Sequence, residues 1–581
     1  MKRFLHCFFI VFCLVLFLTS CYYIAEDKKL QNGAVYDDNL SETVFFPDVF
    51  NQNGQIYYFI KVHGFLKVHT DKSSKDIDKL FFDYYPKINN NTDKQEFNNI
   101  LDEFIFEIYG TVPDTAKHEN PRYSWLNDTT YFHKELKNKL LVIENNFIKK
   151  KKKSSYYQQD IFGNFRGIIR PKIKYKPNDV DSLFPDQSTR IWGIANYWNL
   201  VNYFWVYKKM MDADWDKILY ETILPVQNAE NEIEYAIAIM KFIAHTDDSH
   251  AYVHSDLIDN AVFGRYVPNI RLCLLNDTIL VKSIRTERKE CYSDTIFKVG
   301  DIIYSINNTP LIQLYDSLKH LHSASNEERR KRQVLGYVVS SFQKSNQMIY
   351  SRDGKMDTVT VDFDDFSAYN RFQWEKKQDK KQELTVQNLH GTGYIHIDDL
   401  FEQNFEKNTN ELKKFDEIII DMRGYPNPKI SIKLSNVFFD KISQSNDYLY
   451  PYIYLPGKIK RIPQTKNSGR KNEFINKKIV VLVDETTISQ AEFLTMLLQQ
   501  REDVKVVGSR TAGSDGPVIT IDLPGKITTG LTSLGILYPD GTQTQRYGIR
   551  LDAEVKLTVA GIQAGKDEIL EKGNRCCLIG N

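Results

Sequence analysis

Two short, wholly apolar runs in the C-terminal part of the chain constrain its fold more than any other feature. They are III at 418–420 and IVVLV at 479–483. Each run lies between turn-forming residues, and helical patterns occur near 404–413 and 430–442. A strand that is apolar without alternation is buried on both faces, as in a parallel sheet covered by helices. The segment 384–573 is therefore predicted to be an α/β domain.

Length and charge set the wider limits. The 581 residues, 42% of them apolar, are too many for one hydrophobic core, so about three or four domains are expected. With 76 Lys+Arg against 75 Asp+Glu, the chain lacks the basic excess of a phosphate-binding surface, and nucleic acid is not a predicted partner. The cysteines show no zinc-type spacing. The sequence thus predicts no metal site and no cofactor.

The N-terminus has the pattern of a secretion signal. A positive start at 1–3 precedes the apolar stretch 4–18. The stretch ends in Leu-Thr-Ser-Cys, which resembles a bacterial lipobox and implies cleavage before Cys21 and lipidation of that cysteine. We therefore expect a signal peptide over 1–20, a polar tether over 21–54, and a periplasmic or surface-facing lipoprotein held to the membrane by its lipid. An uncleaved membrane helix is the alternative, although the stretch is short for one.

Residues 55–265 show the three- and four-residue spacing of amphipathic helices. Two blocks, 55–150 and 188–260, contain similar Asp-x-Asp-Lys-apolar segments at 76–80 and 214–218. This echo suggests two copies of one helical unit. The sequence therefore predicts a helical N-terminal region with two related halves.

The pattern changes at 266–355. Strands are predicted at 270–275 and 278–284 around an Asn-Asp turn. The segment GDIIYSIN at 300–307, followed by a helical pattern near 311–321, resembles a PDZ domain. Such domains bind an extended peptide as an added strand. A PDZ-like β-rich module is therefore expected, with a generic hairpin as the alternative.

Ser489 is the best candidate for chemistry. It follows the buried strand at 479–483 and begins a helical pattern, which places it at the open end of the sheet, where ligands bind in such folds. The unpaired N–H groups of a first helical turn can stabilise an oxyanion. However, Ser489 and Glu492 also form the pattern of an ordinary capping box.

Further motifs support the catalytic interpretation. In order along the chain they are DMRGYP at 421–426, TISQAE at 487–492, VGSRTAG at 507–513 and GKDEILE at 565–571. Together they resemble the tail-specific protease superfamily, peptidase family S41, over residues 190–570. The resemblance implies a ClpP/crotonase-like catalytic domain preceded by a PDZ module. It also implies a serine endopeptidase acting on peptides or proteins, with Ser489 as nucleophile and an oxyanion hole at Gly424 and Gln490.

The base departs from the common pattern of this family. Many members use a lysine after the Thr-x-Gly element, but Ser514 stands there. The next lysine, Lys526, belongs to a predicted turn. The tricorn-like branch instead takes a Ser-His pair from the helical domain, which here corresponds to Ser249 and His250. The resemblance implies His250 as general base, able to take the serine proton near neutral pH, with Ser249 assisting.

Other residues compete for the base or could orient it. His245 and His254 lie nearby in sequence. The branch orients its base with a glutamate, where this chain has Gln545 or Arg546. Gln545 is the candidate orienter, because its carbonyl can accept a hydrogen bond, but it cannot stabilise an imidazolium by charge. The alternative hypothesis is therefore a catalytically inactive, peptide-binding scaffold lipoprotein on the same fold. The oligomeric state stays open.

Overall fold

The computed structural model describes a defined part of the chain. The described residues are 34–36, 45–70, 76–115, 122–150, 154, 157–162, 165–171, 176–284, 296–365, 383–427, 429–438, 446–463, 474 and 476–578. The predicted signal peptide and Cys21 lie outside them. Among these described residues, no helix has the length and apolar character needed to cross a membrane.

A helical region forms the first half of the described chain. Its two central helices, Gln52–Val68 and Gln187–Phe204, are buried along nearly their whole lengths. They approach closely, because a Cβ at Gly64 would lie 1.7 Å from Asn199 Oδ1. The helices are α1 (Gln52–Val68), α2 (Ile77–Asn89), α3 (Lys94–Tyr109), α4 (Lys134–Lys149), α5 (Gln187–Phe204), α6 (Trp215–Gln227) and α7 (Glu232–Ala244). A hairpin of β2 (Tyr157–Phe162) and β3 (Phe165–Pro171) lies between α4 and α5.

The two Asp-x-Asp-Lys segments play the same structural part. The first aspartate of each caps the helix that follows it. The second pairs with a buried lysine of α1: Lys67 lies 2.7 Å from Asp78 and Lys61 lies 2.8 Å from Asp216. The sequence echo therefore corresponds to equivalent positions at the starts of α2 and α6.

The ion pair between Lys67 and Asp78 gives a first prediction. Burial alone would raise the pKa of Asp78, but the Lys67 ammonium and His63 together outweigh that effect and lower it. Asp78→Asn would leave that ammonium buried beside a neutral amide, so we expect the free energy of unfolding to fall by about 3–5 kcal/mol. Urea unfolding followed by tryptophan fluorescence measures this, because Trp192 Nε1 donates to Asp78 at 3.0 Å.

The control is Glu103→Gln. Its ion pair with Lys87 is 3.3 Å long and joins side chains that are 62% and 49% exposed, so a loss of no more than about 1 kcal/mol is expected. Equal losses in the two variants would contradict the prediction.

A β-rich module follows the helical region. Its main sheet has the order β11-β10-β8-β7-β6, with β9 paired to β8. The predicted hairpin at 270–284 is confirmed, and Asn276 (φ 47°) and Asp277 (φ 61°) adopt the left-handed conformation of a tight two-residue turn. The strands are β5 (Tyr266–Val267), β6 (Ile270–Leu275), β7 (Thr278–Ile284), β8 (Ile302–Ile306), β9 (Thr309–Pro310), β10 (Ser345–Arg352) and β11 (Lys355–Asp362). The helices are α8 (Leu311–Leu318) and α9 (Glu327–Val338).

The module ends later than predicted. A further strand, β12 (Asp364–Asp365), pairs with β5 at the start of the module. The predicted boundary at 355 is therefore too early, because the chain must return to residue 266 to close the module.

The C-terminal domain contains the predicted sheet. Its order is β13-β14-β15-β18-β19-β23, and the pairings from β14 to β23 are parallel. The sheet strands are β13 (Gln387–Leu389), β14 (Thr392–His396), β15 (Glu417–Asp421), β18 (Lys478–Val483), β19 (Val504–Gly508) and β23 (Ala553–Glu554). The helices are α10 (Phe405–Leu412), α11 (Ile430–Phe438), α12 (Gln490–Leu498), α13 (Val559–Gln563) and α14 (Glu568–Leu578).

Two smaller sheets join the regions together. In one, β4 (Val253–His254) of the helical region pairs with β21 (Ile527–Thr532), which pairs in turn with β20 (Val518–Leu523). The other has the order β1-β17-β16-β22. Its strands are β1 (Ala34–Tyr36), β16 (Asp447–Pro451), β17 (Ile459–Ile462) and β22 (Gly535–Leu537).

The position of β1 corrects the prediction of a tether over 21–54. Residues 34–36 pair with 459–461. Phe45 and Phe50 pack against the core of the helical region, and α1 already begins at Gln52. These residues are held because their backbone and aromatic groups find partners in the folded domains.

Candidate active site

Ser489 lies in the turn between β18 and α12. Its backbone has φ 57° and ψ −119°, a region that side-chain-bearing residues rarely adopt and that occurs mainly at functional sites. A strained strand-to-helix turn of this kind exposes the nucleophile in α/β hydrolases. The Ser489 N–H donates to the Ser514 carbonyl at 3.0 Å and to the Glu492 carboxylate at 3.3 Å. Neighbouring groups therefore hold the strained turn in place.

Glu492 connects α12 to the segment 511–514. Its carboxylate accepts hydrogen bonds from Thr511 Oγ1 at 2.5 Å, from Gly513 N at 2.9 Å and from Ser514 N at 3.0 Å. Burial raises the pKa of Glu492, and these donors partly offset that effect. The predicted capping residue thus also fixes a second loop beside Ser489.

The segment at the end of β15 lies beside the turn that contains Ser489. Thr487 Oγ1 donates to the Met422 carbonyl at 3.0 Å, so the two loops are in contact. At Gly424 a Cβ would lie 2.8 Å from both Asp398 and His396, so the close packing requires glycine. No hydrogen bond of the Gly424 N–H occurs within the described residues. This amide is therefore available as an oxyanion donor, and Gln490, the second predicted donor, is the first residue of α12.

His250 reaches the site from the helical region. It lies in the loop between α7 and β4, and the pairing of β4 with β21 holds this loop on the C-terminal domain. His250 Nδ1 lies 2.8 Å from Thr532 Oγ1 and 3.0 Å from Ser514 Oγ. The Ser514 carbonyl also accepts from the Ser489 N–H. Ser514 therefore contacts both His250 and Ser489.

The electrostatic surroundings keep His250 neutral. Burial lowers the pKa of its imidazole, Asp248 raises it, and Arg329 lowers it again, with a net decrease. A neutral imidazole at pH 7 can accept a proton. Within the described residues, no hydrogen bond joins the side chains of His250 and Ser489, as is common in catalytic pairs without substrate.

Ser249 and Gln545, which were predicted to assist and orient the base, make other hydrogen bonds than those expected. Ser249 Oγ donates to the Ala512 carbonyl at 3.1 Å and accepts from Ser325 N at 2.9 Å, so its single proton is not directed at the imidazole. Gln545 Nε2 lies 3.5 Å from Asp248 Oδ1, whereas Gln545 Oε1 is buried without a partner in the described structure. Ser249 therefore anchors the loop, and the Gln545 carbonyl does not accept from His250.

The rival bases lie elsewhere. His254 pairs with Asp259 at 3.1 Å and is 60% exposed, and His245 is an exposed residue at the end of α7. Lys526 lies at the tip of the hairpin β20–β21, whereas Thr532 lies at the opposite end of β21. Six strand residues span about 20 Å, so Lys526 is remote from the site.

Sequence reasoning missed three residues of the site. Asp248, Ser514 and Thr532 surround His250 Nδ1. The only available signal was a carboxylate two positions before the candidate base, together with a serine in place of the usual lysine. Their convergence depends on contacts between residues more than 250 positions apart.

Comparisons with known proteins identify a family for the C-terminal domain. Residues 391–555 match the family model described as peptidase family S41. The C-terminal domain therefore belongs to peptidase family S41. No curated protein sequence matches the chain at a significant level.

Solved structures with a similar fold have low sequence identity. A crystal structure of a serine-to-alanine mutant of CPAF is 14% identical, covers 68% of this chain and 97% of its own, and has a TM-score of 0.52. Mature CPAF complexed with lactacystin is 12% identical, with 67% and 97% coverage and a TM-score of 0.49. A putative peptidase from Parabacteroides merdae is 14% identical, with 68% and 98% coverage and a TM-score of 0.41. At these identities the first of them supports the fold alone.

Proposed function

We propose that this chain is a serine endopeptidase of the bacterial cell envelope that hydrolyses peptide bonds through a seryl acyl-enzyme. One observation carries the proposal: Ser489 has a positive φ in a strand-to-helix turn that is hydrogen-bonded to Ser514, whose hydroxyl contacts a neutral His250. Membership of the C-terminal domain in peptidase family S41 supports peptides or proteins as substrates.

The proposed reaction uses Ser489 as nucleophile and His250 as general base. Ser489 Oγ attacks the substrate carbonyl while His250 Nε2 takes its proton. The N–H groups of Gly424 and Gln490 stabilise the oxyanion. The imidazolium then protonates the leaving amine, and a water activated by the same imidazole releases the acyl group. Each step requires His250 to be neutral at the start of the cycle.

The β-rich module is proposed to hold the substrate as a PDZ-like domain. Strand β6 lies at one end of the sheet, and α9 packs against it. An extended peptide can add to such an edge through backbone hydrogen bonds. Lys282 of β7 lies 2.7 Å from Glu485 and 3.4 Å from Asp484. This contact links the module directly to the nucleophile turn.

The proposed location rests on the sequence of the N-terminus. Cleavage before Cys21 would leave a lipidated chain anchored in the envelope. Metabolic labelling with a radioactive fatty acid is expected to label the wild-type protein and not Cys21→Ser. Equal labelling of the two would contradict the anchor.

The experiment that tests the proposed function is labelling with a fluorophosphonate, which modifies activated serines. We expect one adduct in the purified wild-type protein, located by mass spectrometry on Ser489, and no adduct in Ser489→Ala or His250→Ala. The absence of an adduct from folded wild-type protein would contradict the proposed function.

The unpartnered carbonyl of Gln545 favours a second candidate function. If His250 lacks an orienting acceptor, the chain would be a peptide-binding scaffold on a peptidase fold. Peptide binding by a wild-type protein that is never labelled by fluorophosphonate would select this alternative.

The oxyanion role gives a further prediction. In Gly424→Ala the new Cβ would meet Asp398 and His396 at 2.8 Å and displace the loop. Loss of one oxyanion donor lowers kcat by about 10²–10³, and that decrease is expected here with a smaller change in KM. Steady-state kinetics measure it. Gly336→Ala is the control, because a Cβ at this position in α9 meets nothing within 4 Å; a similar loss in both variants would contradict the role.

A further inference from the structure

Asp248 is a buried carboxylate beside the proposed base, two residues before it in sequence. Its side chain is 0% exposed. Oδ1 accepts from His250 N at 3.1 Å, from Ser514 Oγ at 2.7 Å and from Thr532 Oγ1 at 2.9 Å. Oδ2 accepts from Thr532 N at 2.8 Å. Every one of these neighbours is a donor, so the site suits an ionised carboxylate.

The two hydroxyl groups determine where the imidazole carries its proton. Each hydroxyl has one proton, and a carboxylate can only accept. Ser514 and Thr532 therefore direct their protons to Asp248, and their oxygen lone pairs face His250 Nδ1 at 3.0 and 2.8 Å. If Nδ1 were unprotonated, its lone pair would meet two oxygens that have no proton to offer. With both hydroxyl protons on Asp248, the favoured tautomer carries its proton on Nδ1, which leaves Nε2 as the basic nitrogen.

We propose that Asp248 is the positioning residue of this site, and that it fixes the tautomer of His250 through the hydroxyls of Ser514 and Thr532. This inference rests on the proposed function and adds to it. The carboxylate lies 4.0 Å from Nδ1, close enough to stabilise the imidazolium that forms when Ser489 loses its proton. Asp248 and the hydroxyls of Ser514 and Thr532, together called the relay, thus supply the negative charge for the imidazolium that the neutral Gln545 cannot supply.

The same contacts explain the unusual residues of the sequence. Ser514 occupies the position after Thr-x-Gly where many relatives have a lysine, and here it is one of the two relay hydroxyls. Gln545, one of the two residues that could correspond to the glutamate, contacts Asp248 at 3.5 Å through its amide nitrogen. Asp248 therefore supplies a buried negative charge beside Gln545, which is neutral.

The charged groups that face His250 come from two elements. Asp248 belongs to the same loop, and Arg329 belongs to α9 of the β-rich module. The segment 511–514 and β21 contribute the hydroxyls of Ser514 and Thr532. Removing the carboxylate therefore leaves Arg329 as the remaining charge, and His250 should be harder to protonate.

The test compares variants of the full chain. Asp248→Asn keeps the size of the side chain and removes the charge, so kcat/KM is expected to fall by about 10³–10⁴, and the acid limb of its pH profile is expected to move to lower pH.

The double variant Ser514→Ala/Thr532→Val retains Asp248 and removes the two hydroxyls between it and His250. The expected fall in kcat/KM is on the order of 10². Thr529→Val is the matched control: it lies on the same strand, is 0% exposed like Thr532, and donates to the Gly530 carbonyl instead. It is expected to keep wild-type kinetics.

Gln545→Met distinguishes the two possible orienters, because it removes the amide and preserves the volume. A smaller loss of kcat/KM in Gln545→Met than in Asp248→Asn supports Asp248. A larger loss in Gln545→Met, or an unchanged rate and pH profile in Asp248→Asn, overturns the inference.

A second measurement does not depend on turnover. Nitrogen NMR shifts of ¹⁵N-histidine-labelled protein identify the protonated ring nitrogen, and His250→Gln identifies the signal. We expect the Nδ1–H form in the wild type and its loss in Asp248→Asn. An Nε2–H form in the wild type overturns the inference even if the protein is active. A wild-type Nδ1–H form in a protein without fluorophosphonate labelling would support the inference and reject the proposed function.

Discussion

Ser489→Ala is expected to abolish peptidase activity, with kcat falling by on the order of 10⁶ as for other serine nucleophiles. The reason is that the other two hydroxyls of this turn are already engaged: Thr486 Oγ1 donates to Asp484 Oδ1 at 2.5 Å, and Thr487 Oγ1 donates to the Met422 carbonyl at 3.0 Å. Residual turnover would come only from substrate binding and the oxyanion donors. Initial rates with a fluorogenic peptide, together with the thermal unfolding temperature, measure the effect on a folded protein.

A matched serine serves as the control for this prediction. Ser509 follows β19, the strand next to β18, and its N–H donates to the Val483 carbonyl at 3.1 Å. Ser509→Ala therefore changes a hydroxyl at the same end of the sheet without removing the proposed nucleophile, and near wild-type rates are expected. Full activity in Ser489→Ala would remove Ser489 from the mechanism.

His250→Ala is expected to lower kcat almost as much, by on the order of 10⁶, because a serine hydroxyl is a poor nucleophile without its base. Since the two residues act as one unit, the double variant with Ser489→Ala should be no slower than either single variant. Additive losses, measured in a double-mutant cycle, would show that His250 acts independently of Ser489.

The wild-type pH profile provides the second part of this prediction. Burial lowers the pKa of His250, and the imidazole must be neutral to act as a base. The kcat/KM value should therefore stay high as the pH falls through the ordinary histidine range near 6.5, and decrease only at lower pH. An acid limb centred above the ordinary value would indicate a different base.

Strands and turns could be predicted from the sequence where the residues that determine them are neighbours in the chain. The apolar runs at 418–420 and 479–483 lie in β15 and β18, and the Asn-Asp turn lies between β6 and β7. The position of Ser489 at the start of a helix could be predicted because a buried strand, a turn and a helix follow one another in the chain, whereas its proposed role rests on the resemblance of several motifs to a family. Each of these features depends on neighbouring residues.

The environment of the base could not be predicted in the same way. In the sequence, Asp248 resembles any carboxylate in a loop. Ser514 indicates only that the lysine of the common pattern is missing. Their relation depends on the pairing of β4 with β21, which brings residues 248 and 532 together. The tether prediction failed for the same reason, since β1 finds its partner more than 400 positions away.

The pairing of β4 with β21 also decides which fragments of this chain could work alone. A fragment beginning at 384 would retain Ser489 and Gly424 but would contain neither His250 nor Asp248. It would also uncover the edge of β21, and exposed strand edges promote aggregation. The helical region is therefore an integral part of the proposed site, and shortening the chain from its N-terminus should remove His250, the proposed base, before it removes Ser489.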